Sequence, residues 1–262
     1  MYKLIKFVRL VREGKDLKDK FILIIYILNI LIWRALGFKK NPKFIWGVTI
    51  KNKDGIFYCG NYADAAWTAS SNYEVDVIKN LKINEGVVVD VGSNIGKITV
   101  ILSNMLNKNG RVVSIEPSIE NFQILKRNVF ESKLKNVILE NCAASSKDGF
   151  VDFYIEDSGT SGHSISKKVG KRIKVRSLTI DKILQKHKIG KISLMKIDVE
   201  GAEAEVLIGS KKTLKNHPII IFEAWNEEFL NKIEKILKPI GYKIKKISQE
   251  NYLAEFHNKR ML

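Results

Sequence analysis

The spacing of apolar and polar residues changes three times along the chain, and each change marks a different kind of element. In MYKLIKFVRLVR the basic residues Lys3, Lys6, Arg9 and Arg12 recur at every third position with apolar residues between them, so a helix there carries one basic and one apolar face. The polar stretch EGKDLKDK follows. Next comes FILIIYILNILIW, residues 21 to 33, an apolar run interrupted by Asn29. The run is short of the roughly 20 residues that span a bilayer. The charged leader is long and no small-residue cleavage site follows it, which argues against a signal peptide. Three readings stay open: an anchor lying in a membrane surface, a helix packed on the rest of the chain or on a second copy, and a short span.

From Phe44 the pattern becomes that of a folded α/β unit, so the expected division is a helical segment 1–43 and a domain 44–262. WGVTIKNKDGIFYCG (46–60) alternates on either side of Lys-Asp-Gly, a hairpin signal. YEVDVIKNL (73–81) reads as a short amphipathic helix. Strands and helices then alternate: strand 87–91, helix 95–106, strand 111–116, helix 118–131, strand 136–141. After an interruption come strand 192–198, helix 201–215, strand 218–223 and helix 226–238. VVVDV and PIIIF are continuously apolar or nearly so, as suits strands covered on both faces. The expected sheet is therefore doubly wound and mostly parallel. YKIKKIS and NYLAEFH, joined by a short polar turn, read as a terminal antiparallel pair. The interruption, 142–191, holds two more strand-like runs, FVDFYIE and RIKVRSL, around the Gly- and Ser-rich DSGTSGHSIS.

Composition narrows the class. Apolar residues at 45% and charged residues at 28% fit a folded protein with an ordinary core. Cys59 and Cys142 lie far apart, outside any metal-ligand spacing, so a reducing, cytoplasmic setting is expected. The net charge of +17 suits an anionic partner, and residues 1 to 54 hold 13 Lys/Arg against 4 Asp/Glu. The charge is thus concentrated near the N-terminus, where it favours a membrane surface through residues 1–40. No RNA-binding module or aromatic-basic motif accompanies it, which weighs against nucleic acid.

Chemistry enters with VVVDVGSNIGKITVILS, residues 87 to 103. Ligands of such sheets bind at the carboxyl ends of the strands, so Asp90, Glu116, Asn141, Asp198 and Glu223 should face one crevice. A dinucleotide fingerprint needs glycines at the first, third and sixth places. Counting from Gly92, this chain offers Gly92, Asn94 and Lys97. A pyrophosphate at the helix N-terminus would also meet the anion Asp90. A ligand with one carboxylate beside an ammonium suits that setting better, and S-adenosylmethionine is such a ligand. Glu116, 26 residues after Asp90, is placed to accept hydrogen bonds from a ribose diol.

VVVDVGSNIGKIT, SIEPSIENFQILKRN, RSLTIDKIL, MKIDVEGAEAEVLIGS and IIIFEAW together resemble the ordered motifs of FkbM-type methyltransferases, S-adenosylmethionine-dependent enzymes of the class I fold. The resemblance covers about residues 72 to 225, with Tyr73-Glu74 also fitting, and KIDVEGAE is its most distinctive piece. It implies a seven-stranded Rossmann-like sheet, a cofactor loop of Asp90, Gly92, Asn94 and Gly96, Glu116 on the ribose, and Asn141 to Ala143 beside the adenine. It also implies methylation of hydroxyls of sugars and of glycosylated or polyketide products, and the basic, apolar N-terminus adds a lipid-linked glycan to the expected acceptors.

An alcohol acceptor needs a base or a metal, because its own pKa lies far above neutrality. The candidates are Asp198, Glu200, Glu223 and His163. A carboxylate cluster would serve as base, as hydroxyl binder or as a Mg2+ site, with the metal left open. Glu203, one turn into its helix, reads as solvated. Trp67 and Trp225 suit either a substrate pocket or the core. The rival readings are a nicotinamide-dependent oxidoreductase, an RNA methyltransferase, and a non-catalytic membrane- or nucleic-acid-binding protein that keeps the fold.

Overall fold

The computed structural model describes residues 2–37, 46–155, 159–166, 168 and 170–257. Two helices come first, α1 (Tyr2–Arg12) and α2 (Leu17–Ala35), then the hairpin β1 (Thr49–Asn52) and β2 (Gly55–Tyr58), then α3 (Ala63–Ala69) and α4 (Val75–Asn80). The alternating part runs β3 (Val87–Val91), α5 (Lys97–Met105), β4 (Arg111–Ile115), α6 (Ile119–Glu131), β5 (Val137–Glu140). After it come β6 (Ala143–Ala144), β7 (Gly149–Ile155), β8 (Lys171–Leu178) and α7 (Ile180–Lys186). The chain ends with β9 (Leu194–Ile197), α8 (Glu203–Ile208), α9 (Lys211–Leu214), β10 (Ile219–Glu223), α10 (Glu227–Leu237), β11 (Tyr242–Lys246) and β12 (Asn251–Phe256).

Seven strands form the main sheet in the order β11-β12-β10-β9-β3-β4-β5. The five from β10 to β5 are parallel, and β12 runs antiparallel to both β10 and β11. This is the expected Rossmann-like sheet with its terminal antiparallel pair. The order reverses between β3 and β9, since the chain goes outward through β4 and β5 and then returns to the other side of β3. A crevice must open at the carboxyl ends of β3 and β9. Val88, Val89 and Val91 are fully buried, as β-branched residues in a strand covered on both faces should be. FVDFYIE and RIKVRSL pair as β7 and β8, and β6 joins them in a separate three-stranded sheet.

The helix expected over 201–215 is two helices. A Cβ on Gly209 would lie 2.1 Å from the Ser145 carbonyl oxygen, so the chain meets β6 too closely there for an ordinary residue. The Ser210 hydroxyl, donating to the Val206 carbonyl at 2.7 Å, closes the first helix. The helix α3, from ADAAWTA, carries no apolar period that would announce it.

The N-terminal segment shares a core with the rest of the chain. Leu10, Ile22, Leu23, Tyr26 and Ile30 pack with Val48, Ile50 and Phe57 of the hairpin region and with Ile95, Val100 and Ile124 of the α5–α6 side. Asn128 secures the hairpin: its Oδ1 accepts from Tyr58 N at 2.7 Å, while its Nδ2 donates to Tyr58 O at 3.0 Å and Ile95 O at 2.8 Å. The basic face of α1 is turned partly onto the chain instead of outward. Lys6 Nζ stands 5.1 Å over the Trp67 ring, and Arg9 Nη1 donates to Asn72 Oδ1 at 2.6 Å. The division expected at 43/44 falls outside the described residues. Among the described residues no helix is long and apolar enough to cross a membrane.

Candidate active site

Parallel pairing sets Asp90 of β3 beside Lys196 of β9, and the Asp198 amide donates to Val91 O at 2.9 Å just past the strand ends. The loop after β3 turns through Gly92 (φ 81°), Asn94 (φ 50°) and Gly96 (φ 88°). At Gly92 a Cβ would stand 1.7 Å from the Asp198 carbonyl oxygen, so the two loops touch only because position 92 has no side chain. Gly92 N and Ser93 N both donate to Ile115 O at 3.0 Å, which fixes the turn against β4.

A cavity of about 260 Å³ opens over this turn. Asp90, Gly92, Asn94, Glu116, Ala143, His163, Asp198, Glu200 and Glu223 all line it. Two expected cofactor residues do not. Gly96 faces α6, where a Cβ would meet Leu125 Cδ1 at 2.5 Å, so a side chain there would press on the helix packing. Asn141 braces the neighbouring loop, donating from Nδ2 to Glu116 O at 2.8 Å and Pro117 O at 3.2 Å.

On the cofactor-loop side the groups are acidic and deeply buried. Asp90 Oδ2 accepts from Thr99 Oγ1 at 2.6 Å, while Oδ1 accepts no hydrogen bond; burial raises its pKa. Glu116 accepts from Asn94 N at 2.9 Å and Ser118 N at 2.8 Å, and burial, against those two donors, pushes it up to about 7. Glu74 Oε2 and Asn94 Oδ1 are also buried acceptors without a hydrogen-bond donor. A pyrophosphate would add charge to this acidic wall. S-adenosylmethionine brings an ammonium and ribose hydroxyls, which fit the orphaned acceptors as donors, and a sulfonium whose charge suits the nearby acids.

In the same cleft, Glu223 at the end of β10 accepts from the Trp225 indole at 2.6 Å. Burial, then the charges of Asp198 and Glu200, raise it to about 9. Glu200 (φ 57°) accepts from Gly162 N at 3.2 Å, and its carbonyl accepts from Ser164 Oγ at 2.7 Å. The loop carrying His163 is thereby fastened over the cleft, and Asp64 Oδ2 fastens it again by accepting from Thr160 N at 2.6 Å and Ser161 N at 2.8 Å. His163 is buried edge-on to Phe153, with ring centroids 6.2 Å apart. Trp225 packs edge-on to Phe229, and Trp67 lies under Lys6. Among the described residues no group of three or more His, Cys, Asp or Glu side chains is arranged to hold a metal ion, so the Mg2+ expectation gains no support.

Glu203 is buried, contrary to its solvated reading. Its Oε1 accepts from Val199 N and Gly201 N at 3.1 Å each, holding the loop that carries Asp198 and Glu200, and burial raises it to about 7.

Sequence reasoning missed three cleft residues. Lys196 Nζ lies 2.9 Å from Asp198 Oδ2 and 3.6 Å from Glu74 Oε2. Burial disfavours its charge, yet Asp198, Glu74 and Asp90 outweigh that and hold the ammonium well above its usual range. Burial likewise raises Glu74, to about 7. The signal was available: a lysine inside the apolar strand LMKI has no solvent to reach and needs acids around it. Lys97, buried under the cleft, reaches Asp54 of the hairpin turn at 3.3 Å and donates to the Ser70 carbonyl.

The sheet and this acid-lined crevice define a Rossmann-like α/β protein built to hold a nucleoside with cationic groups. The methyltransferase FkbM domain matches residues 90–244, and the chain belongs to that family. It is 31% identical over 154 residues to the hexuronic acid methyltransferase AglP of Haloferax volcanii, a match covering 57% of this chain and 62% of that protein. The solved structures similar to it include two methyltransferases. One is methyltransferase FkbM from Methylobacillus flagellatus (TM-score 0.49, 14% identity, 97% of this chain and 59% of that one). The other is a SAM-dependent O-methyltransferase from Thermotoga maritima (TM-score 0.47, 12% identity, 87% of this chain and 83% of that one).

Proposed function

We propose that the chain transfers a methyl group from S-adenosylmethionine to a hydroxyl of a sugar or glycan. The observation that carries this reading is the acidic lining of one cleft. Asp90 Oδ1 and Asn94 Oδ1 are buried acceptors without a hydrogen-bond donor, and Glu74, Asp198, Glu200 and Glu223 line the same cavity. When bound, S-adenosylmethionine supplies an activated methyl group on a sulfonium, so the chain has only to align the acceptor and take its proton. The 31% identity to a protein named for hexuronic acid methylation supports a sugar as acceptor.

In this reading Asp90 and Glu74 receive the ammonium and Glu116 the ribose hydroxyls, keeping the backbone N–H bonds it already has. Glu223 is the candidate base. Its carboxyl is held protonated by burial and by Asp198 and Glu200, and a cationic ligand in the cleft draws its pKa down toward neutrality, where a base works best. Asp198 and Glu200 accept hydrogen bonds from the acceptor's hydroxyls, and the His163 loop excludes water.

The test is mass spectrometry of glycan and lipid-linked sugar fractions incubated with the full chain and isotope-labelled S-adenosylmethionine. Gain of a labelled methyl group on a sugar oxygen supports the reading. Label on RNA, or none despite tight S-adenosylhomocysteine binding, removes it. Glu223→Gln should keep S-adenosylhomocysteine affinity and lose turnover by roughly 100-fold or more.

A further inference from the structure

The helix α2 has two unlike apolar sides. Ile22, Leu23, Tyr26 and Ile30 are buried in the N-terminal core. On the far side Leu17, Phe21, Ile24, Leu28 and Leu31 follow one another at helical spacing, each between 44% and 84% exposed. Folded chains rarely leave so continuous an apolar stripe in water.

The occupant is constrained by what lies around the stripe. A spanning helix is surrounded by lipid, and α2 has one whole side pressed against Val48, Ile50 and Phe57. A second copy laid along the stripe would bring two strongly basic surfaces together. The α1–α2 corner exposes Arg12, Lys15 and Lys18 against one exposed acid, Asp16, and β1 adds Lys51 beside it. Backbone bonds fix that proximity: Lys15 N donates to Thr49 O at 3.0 Å, and Lys51 N to Glu13 O at 2.7 Å. Like charges oppose self-association, whereas an anionic surface meets the lysines and the apolar stripe together. A coiled-coil seam also carries charges along its flanks, and here, past Lys18 and Lys20 in the first turn, the flanks are the apolar Ile25, Ile27 and Ile32.

We infer that the exposed side of α2 docks flat on an anionic lipid surface, with Phe21, Leu28 and Leu31 inserted and Lys15, Lys18 and Lys51 at the headgroups. The docked helix is tied to the cleft through α1. Glu13 accepts from Ser71 N and Asn52 Nδ2 at 3.0 Å each, and Ser71 stands two residues before Tyr73 and Glu74 of the cleft wall.

The experiment is co-sedimentation of the full chain with vesicles of phosphatidylcholine alone and of an equal mixture with phosphatidylglycerol. The chain should bind the mixed vesicles, with high salt weakening binding only in part. The double variant Phe21→Glu/Leu28→Glu alters exposed positions, so its circular dichroism and melting temperature should match the parent while vesicle affinity falls on the order of 100-fold. Failure of the parent to bind either vesicle overturns the proposal, as does undiminished binding of the double variant. A dimer in sedimentation velocity that the double variant dissociates, without vesicle binding, assigns the stripe to a second copy and also overturns it.

Discussion

Lys196 Nζ and Asp198 Oδ2 stand 2.9 Å apart at the carboxyl end of β9, and the lysine side chain is 4% exposed. Asp90 and Glu74 surround the same ammonium, so one cation balances three acids. Lys196→Met should destabilise the chain by about 3–5 kcal/mol, the cost of leaving buried charge uncompensated. The double variant Lys196→Met/Asp198→Asn should recover part of that loss. Urea denaturation of the four proteins in the cycle measures the coupling, and strict additivity would show the pair to be inert.

The two loop glycines should fail in different ways. At Gly92 the clash is with backbone, so Gly92→Ala cannot be relieved by a rotamer change and should remove S-adenosylhomocysteine binding. At Gly96 the neighbour is the end of the Leu125 side chain, and Gly96→Ala should cost roughly 1–3 kcal/mol of stability, from overpacking and positive φ, while the cleft lining stays intact. Calorimetry below the melting temperature separates the two, because equal loss of binding in both would return Gly96 to the ligand site.

Glu116→Gln should lower S-adenosylhomocysteine affinity by about 1–3 kcal/mol, the range for charge-assisted bonds. The amide still accepts from one of Asn94 N and Ser118 N, so the loop should hold. Adenine alone, which has no diol, should bind parent and variant alike; a matching loss with adenine would locate the defect in the loop.

Glu203 titrates near 7 in the folded chain against an ordinary 4.5. Between those values the folded state holds a proton that the unfolded state has released. Its stabilising contribution is therefore fully present below 4.5 and is lost as pH rises through 7, at up to about 1.4 kcal/mol per pH unit. Glu203→Gln keeps an acceptor for Val199 N and Gly201 N without titrating. Melting curves from pH 5 to 8 should consequently show a flatter decline in the variant than in the parent.

Much of this was legible from local pattern. The strand at 87–91 has the bounds read from VVVDV, and the acids at successive strand ends converge because parallel strands place their ends together. What was hidden depended on partners distant in sequence. Gly96 looks like a ligand glycine until Leu125 is placed behind it, and Asn141 points at the Glu116 and Pro117 carbonyls of the adjoining strand end. Glu203 looks solvated from its position in the helix, and is buried because the loop before it folds back over its carboxylate. The basic period of α1 is plain in the sequence, but where Lys6 and Arg9 point depends on Trp67 and Asn72, about 60 residues away.

Asn128, bound to Tyr58 and Ile95, has a meaning in time. The ribosome makes α2 and the hairpin first, yet the side chain that fastens the hairpin is 70 residues further along. At roughly 5–20 residues per second that interval lasts on the order of several seconds. For much of it the core side of α2 has its early partners Leu10, Val48, Ile50 and Phe57 and still lacks Ile95, Val100 and Ile124, while the outer side stays uncovered. Whatever surface the nascent chain meets in those seconds competes with its own later fold for Ile22, Leu23, Tyr26 and Ile30.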